Sequence, residues 1–120
     1  MSVLRILHLY PRELGINGDA GNVLALAERA RWRGIEAEVV SHAPGGELPA
    51  SADIVHIGSG PLSAQRAVHA DVLGIADRLR DWRDAGVPIL AIAGGWQLLG
   101  RELVTPEGET LAGAGVFPSR

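Results

Sequence analysis

Short apolar runs alternate with helical stripes along the chain. Residues 3–10 are apolar at nearly every position and end before Pro11, a pattern typical of a strand buried on both faces of a parallel sheet. The next apolar residues recur at i, i+3, i+4 and i+7, the spacing of one helix face: Val23, Leu26, Ala27 and Ala30. Gly34 follows where the C-cap of this helix is expected.

Three more strands and two more helices are predicted downstream. The strands are expected over residues 36–41, 53–57 and 88–93. One long helix is predicted over residues 63–85 because its apolar residues share a face, and a shorter helix over residues 96–100. Residues 104–116 are rich in glycine and proline and are expected to form a hairpin-like or irregular tail, poorly packed from Gly113 to Phe117.

The order β-α-β-β-α-β-α predicts a three-layer α/β fold. Strands that alternate with helices form a mostly parallel sheet with helices on both faces, flavodoxin-like in outline. A chain of 120 residues is long enough for one compact domain and too short for two. Residues 1–120 are therefore expected to belong to a single domain.

Composition and charge exclude several classes of function. The chain contains no cysteine, which excludes disulfides, thiolate metal sites and a cysteine nucleophile. A net charge of −3 gives no electrostatic footprint for nucleic acid. Arg78, Arg80 and Arg83 interleave with acidic residues and are expected to form a solvated helix face. No metal site and no cofactor are expected.

No segment is apolar for long enough to suggest a membrane span or a signal peptide. A transmembrane helix needs about 20 apolar residues, and the apolar run after Met1 is too short for the hydrophobic region of a signal peptide. The sequence therefore predicts a cytoplasmic protein without membrane contact.

Three glycine-containing loops follow predicted strands and mark the candidate site. In an open parallel sheet, ligands bind beyond the carboxyl ends of the strands. The loops lie around Gly18-Asp19, at Gly58-Ser59-Gly60 and at Ala93-Gly94-Gly95. All three are expected to border one crevice.

The third loop has the pattern of a nucleophile elbow. An apolar strand, one small residue, two glycines and a helix form a sharp turn that lifts one side chain above the sheet. The helix N-terminus would stabilise a thiolate and a developing oxyanion. Ala93 occupies the elbow position and has no nucleophilic atom. A plain strand-turn-helix with glycines selected for packing explains the spacing equally well.

Residues 89–100, Ile-Leu-Ala-Ile-Ala-Gly-Gly-Trp-Gln-Leu-Leu-Gly, closely resemble the catalytic motif of class I glutamine amidotransferases of the cobyric acid synthase type. Residues 7–11, 17–22 and 31–35 resemble, in the same order, segments of the amidotransferase subunits of lipid II isoglutaminyl synthases. The resemblance implies a class I amidotransferase fold and a family role in glutamine hydrolysis. The ammonia is supplied to a ligase partner, Mur-ligase-like in the cell-wall enzymes, for amidation of peptidoglycan precursors or cobyrinate-type substrates.

The resemblance also assigns roles to residues of the three loops. Ala93 stands at the nucleophile position, and Gly58, Ser59, Gly60 and Gly94 stand where the family binds substrate and the oxyanion. The residues expected to support the motif are Gly95, Trp96, Gln97, Asp19 and Asn22.

Structural roles are the alternative for several of these residues. Trp96 is expected to pack within its helix, and Gln97 to tie the elbow to neighbouring loops. Asp19 or Asn17 also fits the N-cap of the first helix.

Three departures from the family pattern predict an inactive domain. The nucleophile position holds Ala93, and Pro61 and Leu62 stand where the family has polar residues. The general-base histidine of the family lies beyond the elbow, in a region that this chain is expected to lack. The four histidines present, His8, His42, His56 and His69, do not match that position. The chain is therefore interpreted as the N-terminal part of an amidotransferase domain that does not hydrolyse glutamine, its candidate ligand.

Several alternatives stay open. Ala93 is either native, in a paralogue that lost the chemistry, or introduced by a Cys→Ala change. The chain is alternatively a non-catalytic ligand-binding or partner-docking α/β domain. Nucleotide binding is disfavoured because Gly58-Ser59-Gly60 lacks the further glycine of a dinucleotide fingerprint. An exposed edge strand would also favour a homo-oligomer.

Overall fold

The computed structural model describes residues 3–14, 19–92, 94–104, 108 and 110–117. Its elements, in chain order, are β1 (Val3–Leu9), α1 (Asp19–Trp32), β2 (Glu36–His42), β3 (Ile54–Ile57), α2 (Leu62–Gly74), α3 (Ala76–Asp84), β4 (Ile89–Ala91), α4 (Gly94–Leu99), β5 (Glu102–Val104) and β6 (Thr110–Ala112). The predicted order of strands and helices is confirmed, with boundaries that shift by at most two residues.

Four parallel strands form the central sheet in the order β2-β1-β3-β4. β1 pairs with β2 along its whole length, from Val3 opposite Glu36 to Leu9 opposite His42. On its other side β1 pairs with β3, which pairs with β4. β5 and β6 form a separate antiparallel hairpin. The predicted parallel α/β sheet is therefore confirmed, and so is a hairpin in the tail.

Helices cover both faces of the sheet, as the alternation of side chains along β1 requires. Ile6 packs with Val23 and Ala27 of α1 in a small cluster. Leu7 belongs to a larger cluster that includes Val68 of α2. All five side chains are buried. Consecutive apolar residues in β1 thus supply the cores of two different layers, and the three-layer prediction is confirmed.

The long helix predicted over residues 63–85 is interrupted at one residue. α2 ends at Gly74 and α3 begins at Ala76, and Ile75 between them has φ −101° and ψ 4°. The Ile75 N–H still donates to the Asp71 carbonyl, and its own carbonyl accepts from Leu79 N–H. The prediction of a single helix was wrong at this point, where the low helix propensity of Gly74 favours a break.

Arginines of α3 bind the tail. Arg80 Nη1 donates to the Ala114 carbonyl at 2.5 Å, and Arg83 Nη1 donates to the Val116 carbonyl at 2.6 Å. Ala114 and Val116 are themselves buried. The expectation of a poorly packed tail was wrong, because the tail buries apolar side chains and its carbonyls then need donors. The arginine face is solvated in part, since Arg83 stays exposed while it also binds the tail.

Asp71 of α2 links the helix to the ends of β1 and β2. Its carboxylate accepts hydrogen bonds from the Tyr10 hydroxyl at 2.5 Å, from His42 Nε2 at 2.7 Å and from the Gly45 N–H at 2.8 Å. Burial alone would raise the pKa of Asp71, but the three hydrogen bonds outweigh burial and hold the pKa below its ordinary value. Burial and the neighbouring Asp71 raise the pKa of Tyr10, which stays a neutral donor.

The connection between β2 and β3 is tied to the same helical layer. Arg78 Nη2 donates to the Pro49 carbonyl at 2.7 Å, and its guanidinium lies 4.9 Å from the ring centre of Trp82. Arg78 is therefore a third α3 arginine bound to backbone. The hydrogen bond from Arg78 to Pro49 and the one from Gly45 to Asp71 hold this connection at two points. The connection contains no helix between β2 and β3.

Replacing Asp71 by Asn is expected to lower the free energy of unfolding by about 2 kcal/mol near neutral pH, because three hydrogen bonds lose their charged acceptor. The pKa of Asp71 is lower in the folded than in the unfolded state. The contribution of the Asp71 carboxylate to the free energy of unfolding is therefore fully present above the unfolded-state pKa. It is lost as the pH falls through the folded-state pKa. Urea unfolding across that acidic range measures both effects.

Asp81→Asn is the matched control, since Asp81 is an exposed carboxylate on α3. It should change the free energy of unfolding by less than about 0.5 kcal/mol. Equal losses in the two variants would contradict the role assigned to Asp71.

Candidate functional site

The segments that follow β1, β3 and β4 contact one another at the carboxyl edge of the sheet. The Ile92 N–H, just after β4, donates to the Ile57 carbonyl at the end of β3 at 3.0 Å. In the turn after β1, the Glu13 carbonyl lies against Gly60. Gly18 lies outside the described residues, so the predicted crevice between all three loops stays a prediction.

The loop after β3 is confined by its neighbours. Ser59 is 4% exposed. A Cβ on Gly60 would lie 2.8 Å from the Glu13 carbonyl oxygen and 3.1 Å from Leu14 Cδ2. Because the first of these atoms is backbone and cannot rotate away, only glycine fits at position 60 without a shift of the chain.

The elbow is built on a second close approach of backbone to backbone. The Gly95 N–H donates to the Ile92 carbonyl at 2.8 Å, which closes a tight turn into α4. A Cβ on Gly95 would lie 2.5 Å from the Gly58 carbonyl oxygen and 2.8 Å from that of Ile57. Ala93 lies outside the described residues, and its place as the elbow residue stays a prediction.

The motif-supporting residues fall on α1 and α4. Trp96 and Gln97 follow Gly94 and Gly95 within α4, and Asp19 opens α1. The side chains of Trp96, Gln97 and Asp19 lie outside the described part, so their predicted roles stay predictions.

Asn22 lines a groove of about 320 Å³ between α1 and the sheet. Its other lining residues are Ala25, Leu26, Arg29, His56, Leu90 and Ile92. Ile92 directly precedes Ala93 in the chain. The groove therefore lies on the face of the sheet that α1 covers and reaches the carboxyl end of β4.

The histidines occupy packed or hydrogen-bonded positions. His8 and His56 are neighbours across β1 and β3, both buried, with their rings edge to face at 5.2 Å. Both rings are thus packed within the sheet. His42 binds Asp71, and His69 Nε2 lies 2.6 Å from the Ala112 carbonyl.

The part of the chain that the structure describes holds no group of three or more metal-ligating side chains. In the same residues, no helix is both long and apolar enough to span a membrane.

Gln65 is a site residue that sequence reasoning missed. It lies in the first turns of α2, is 7% exposed, and donates from Nε2 to the Gly60 carbonyl at 3.1 Å. A sequence signal existed, because Gln65 is a polar residue at helical spacing from the apolar Val68 and Val72.

Replacing Gly95 by Ala is expected to destabilise the fold by about 3 kcal/mol or to prevent folding, because the added methyl meets two backbone carbonyls. Thermal and urea unfolding measure the effect. Gly74→Ala is the control, since nothing lies within 4 Å of a Cβ at position 74, and it should be neutral or stabilise by up to about 1 kcal/mol. A Gly95→Ala protein as stable as the parent would contradict the described contact.

Comparison with known proteins assigns the family. A model of the CobB/CobQ-like glutamine amidotransferase domain matches residues 5–120. The chain is 34% identical over 118 residues to the lipid II isoglutaminyl synthase (glutamine-hydrolyzing) subunit GatD of Staphylococcus aureus, covering 98% of this chain and 49% of the relative. The GatD subunit of Streptococcus pneumoniae is 32% identical over 117 residues, covering 95% and 44%.

This chain thus spans about half the length of the curated relatives that it matches. The family model nevertheless covers the sheet, both layers of helices and the glycine elbow. The chain belongs to the CobB/CobQ-like glutamine amidotransferase domain family.

Proposed function

We propose that the protein is an amidotransferase-like domain that binds glutamine and does not hydrolyse it. The observation that carries the proposal is Ala93 in a motif whose strand, glycines and helix are retained. An alanine methyl cannot attack a carboxamide carbon, and loss of a nucleophile removes several orders of magnitude in rate. The same family site would then keep a binding role without chemistry.

Retention of the glycine pattern around the elbow supports glutamine binding. Oxyanion-type sites are built largely from main-chain N–H groups, which do not depend on side-chain identity. Pro61 and Leu62 change side chains after the glycine loop, while Gly60 and Gly95 make tight contacts with neighbouring backbone. The donors of Gly58, Ser59, Gly60 and Gly94 are proposed to receive the ligand.

A ligase partner is part of the proposal. The similar proteins from Staphylococcus aureus and Streptococcus pneumoniae are subunits of lipid II isoglutaminyl synthases. By that likeness we assign this chain to the N-terminal part of an amidotransferase domain that works in the cytoplasm with a Mur-ligase-like synthetase on cell-wall precursors.

A partner-docking role without glutamine is the second candidate. Trp32, at the end of α1, is 80% exposed, and tryptophan is among the residues that contribute most to protein interfaces. This candidate predicts stabilisation by the partner alone.

The protein is expected to bind L-glutamine without releasing ammonia. At a glutamine concentration of about 100 times the dissociation constant, binding to the folded state should stabilise it by about 2.7 kcal/mol and raise Tm. Thermal shift with L-glutamate as the control ligand, together with an enzymatic ammonia assay, measures both properties. Ammonia release by the pure protein would refute the proposed inactivity, and an unchanged Tm would favour the docking candidate.

Ala93→Cys is expected to create a thiol that a glutamine-shaped reagent alkylates selectively. The chain has no other cysteine, so every label reports on position 93. The glutamine-shaped reagent is the chloroketone L-2-amino-4-oxo-5-chloropentanoate, from which the thiolate displaces chloride. The selectivity ratio is the rate of labelling by this chloroketone divided by the rate of labelling by iodoacetamide. We expect this ratio to be about ten-fold higher than for Ala67→Cys on the exposed face of α2, and L-glutamine should protect Cys at position 93 alone. Equal ratios without protection would contradict a glutamine site at the elbow.

A further inference from the structure

The two glycines of Gly58-Ser59-Gly60 give its peptide groups more rotational freedom than other residues would, although neighbouring atoms confine the path of the loop at Gly60. Its last residue is followed by Pro61, with φ −64° and ψ 164°. Pro61 has no N–H, so its nitrogen cannot hold a neighbouring carbonyl. Something else must fix the end of this loop if its N–H groups are to keep one direction.

Gln65 supplies that restraint. Its backbone N–H donates to the Pro61 carbonyl at 3.0 Å, as a helical residue does. Its side-chain Nε2 donates to the preceding carbonyl, that of Gly60, at 3.1 Å. One residue thus holds two successive carbonyls where the loop enters α2.

The side-chain bond is sheltered from water, because Gln65 is 7% exposed. Water therefore cannot readily replace the amide as a donor to the Gly60 carbonyl. The Gln65 Oε1 accepts no hydrogen bond from the described residues. Only the donating half of the amide is used, which is the half that a change to Glu removes.

We propose that Gln65 is a positioning residue of the elbow site, holding the Gly60 carbonyl so that the Gly58–Gly60 backbone keeps the orientation that receives the ligand. This inference rests on the proposed glutamine site. A Cβ on Gly60 would meet both the Glu13 carbonyl oxygen and Ala64 Cβ, so steric contact limits where the loop runs. The Gln65 amide sets how the peptide at its end is turned.

The test uses the Ala93→Cys protein and its selectivity ratio for the glutamine-shaped chloroketone over iodoacetamide. Gln65→Glu keeps the size and the unused oxygen but places a carboxylate oxygen against the Gly60 carbonyl. Gln65→Glu should lower the selectivity ratio about ten-fold near neutral pH, which is the effect expected from the loss of one hydrogen bond. Burial raises the pKa of such a carboxyl. Its neutral form donates again, so the ratio should recover as the pH falls.

Gln65→Leu removes the donor at every pH, so its ratio should be low and should not recover with acid. Val68→Ala, a buried change further along α2, controls for stability. Val68→Ala should lower Tm and leave the selectivity ratio unchanged. If the role of Gln65 is purely structural, the two Gln65 variants should likewise lower Tm without changing the ratio.

Amide hydrogen exchange of Ser59 and Gly60 without ligand separates failure of this inference from failure of the proposed function. Exchange should be about ten-fold faster in Gln65→Leu than in the parent or in Val68→Ala. A selective parent whose ratio survives Gln65→Leu would overturn the positioning role and leave the glutamine site standing. If the Ala93→Cys protein itself shows no selectivity for the chloroketone, the glutamine site is overturned. In that case, unchanged amide exchange of Ser59 and Gly60 in Gln65→Leu would reject Gln65 as a restraint on the loop, and faster exchange would support that restraint.

Discussion

The contact of Gly95 with the carbonyls of Ile57 and Gly58 is the constraint on which the placement of the elbow depends. It joins backbone to backbone, so no side chain sets the distance and none can adjust it. The pairing of β3 with β4, extended by the bond from Ile92 to Ile57, brings the chain to this point. α4 then begins at Gly94.

The helix that follows this contact is bound by the tail. The Ala114 N–H donates to the Leu98 carbonyl, and the Val116 N–H donates to the Leu99 carbonyl. The tail thus adds its hydrogen bonds to the end of α4, and Arg80 and Arg83 bind the same segment from α3. A helix of six residues is held mainly by these tertiary contacts, because so short a helix has little stability of its own.

α2 connects the strand ends through two polar side chains. Gln65 near its start binds the loop after β3, and Asp71 binds Tyr10 and His42 at the ends of β1 and β2. A buried polar group without a partner costs free energy, whereas a paired one favours the arrangement that pairs it. These contacts therefore select one position of α2 over the sheet, where apolar packing alone would accept several.

Much of the fold was predictable because its signals are local. Consecutive apolar residues such as Ile6 and Leu7 indicate a strand covered on both faces, and glycines in sequence indicate the elbow. The motif around the elbow also identified the family, which the comparisons confirm.

The remainder depends on residues that are far apart in the chain. Asp71 lies 29 residues from His42 and 61 from Tyr10, so no periodicity reveals their network. The arginines of α3 carry the same pattern whether they meet solvent or tail carbonyls, and only tertiary structure decides between the two. Gln65 had a visible signal, a polar residue in an apolar stripe, but its partner is a backbone carbonyl that sequence does not mark.

We propose a family site that keeps the glycines of the motif while Ala93 takes the place of its reactive residue. A two-dimensional amide NMR titration of the protein with L-glutamine tests this most directly, because it reports every backbone N–H separately. We expect saturable shifts concentrated at Gly58, Ser59, Gly60, Gly94 and Gly95, with glutamine intact at the end of the titration. Shifts absent from these amides at saturating glutamine, or conversion of glutamine to glutamate during the titration, would contradict it.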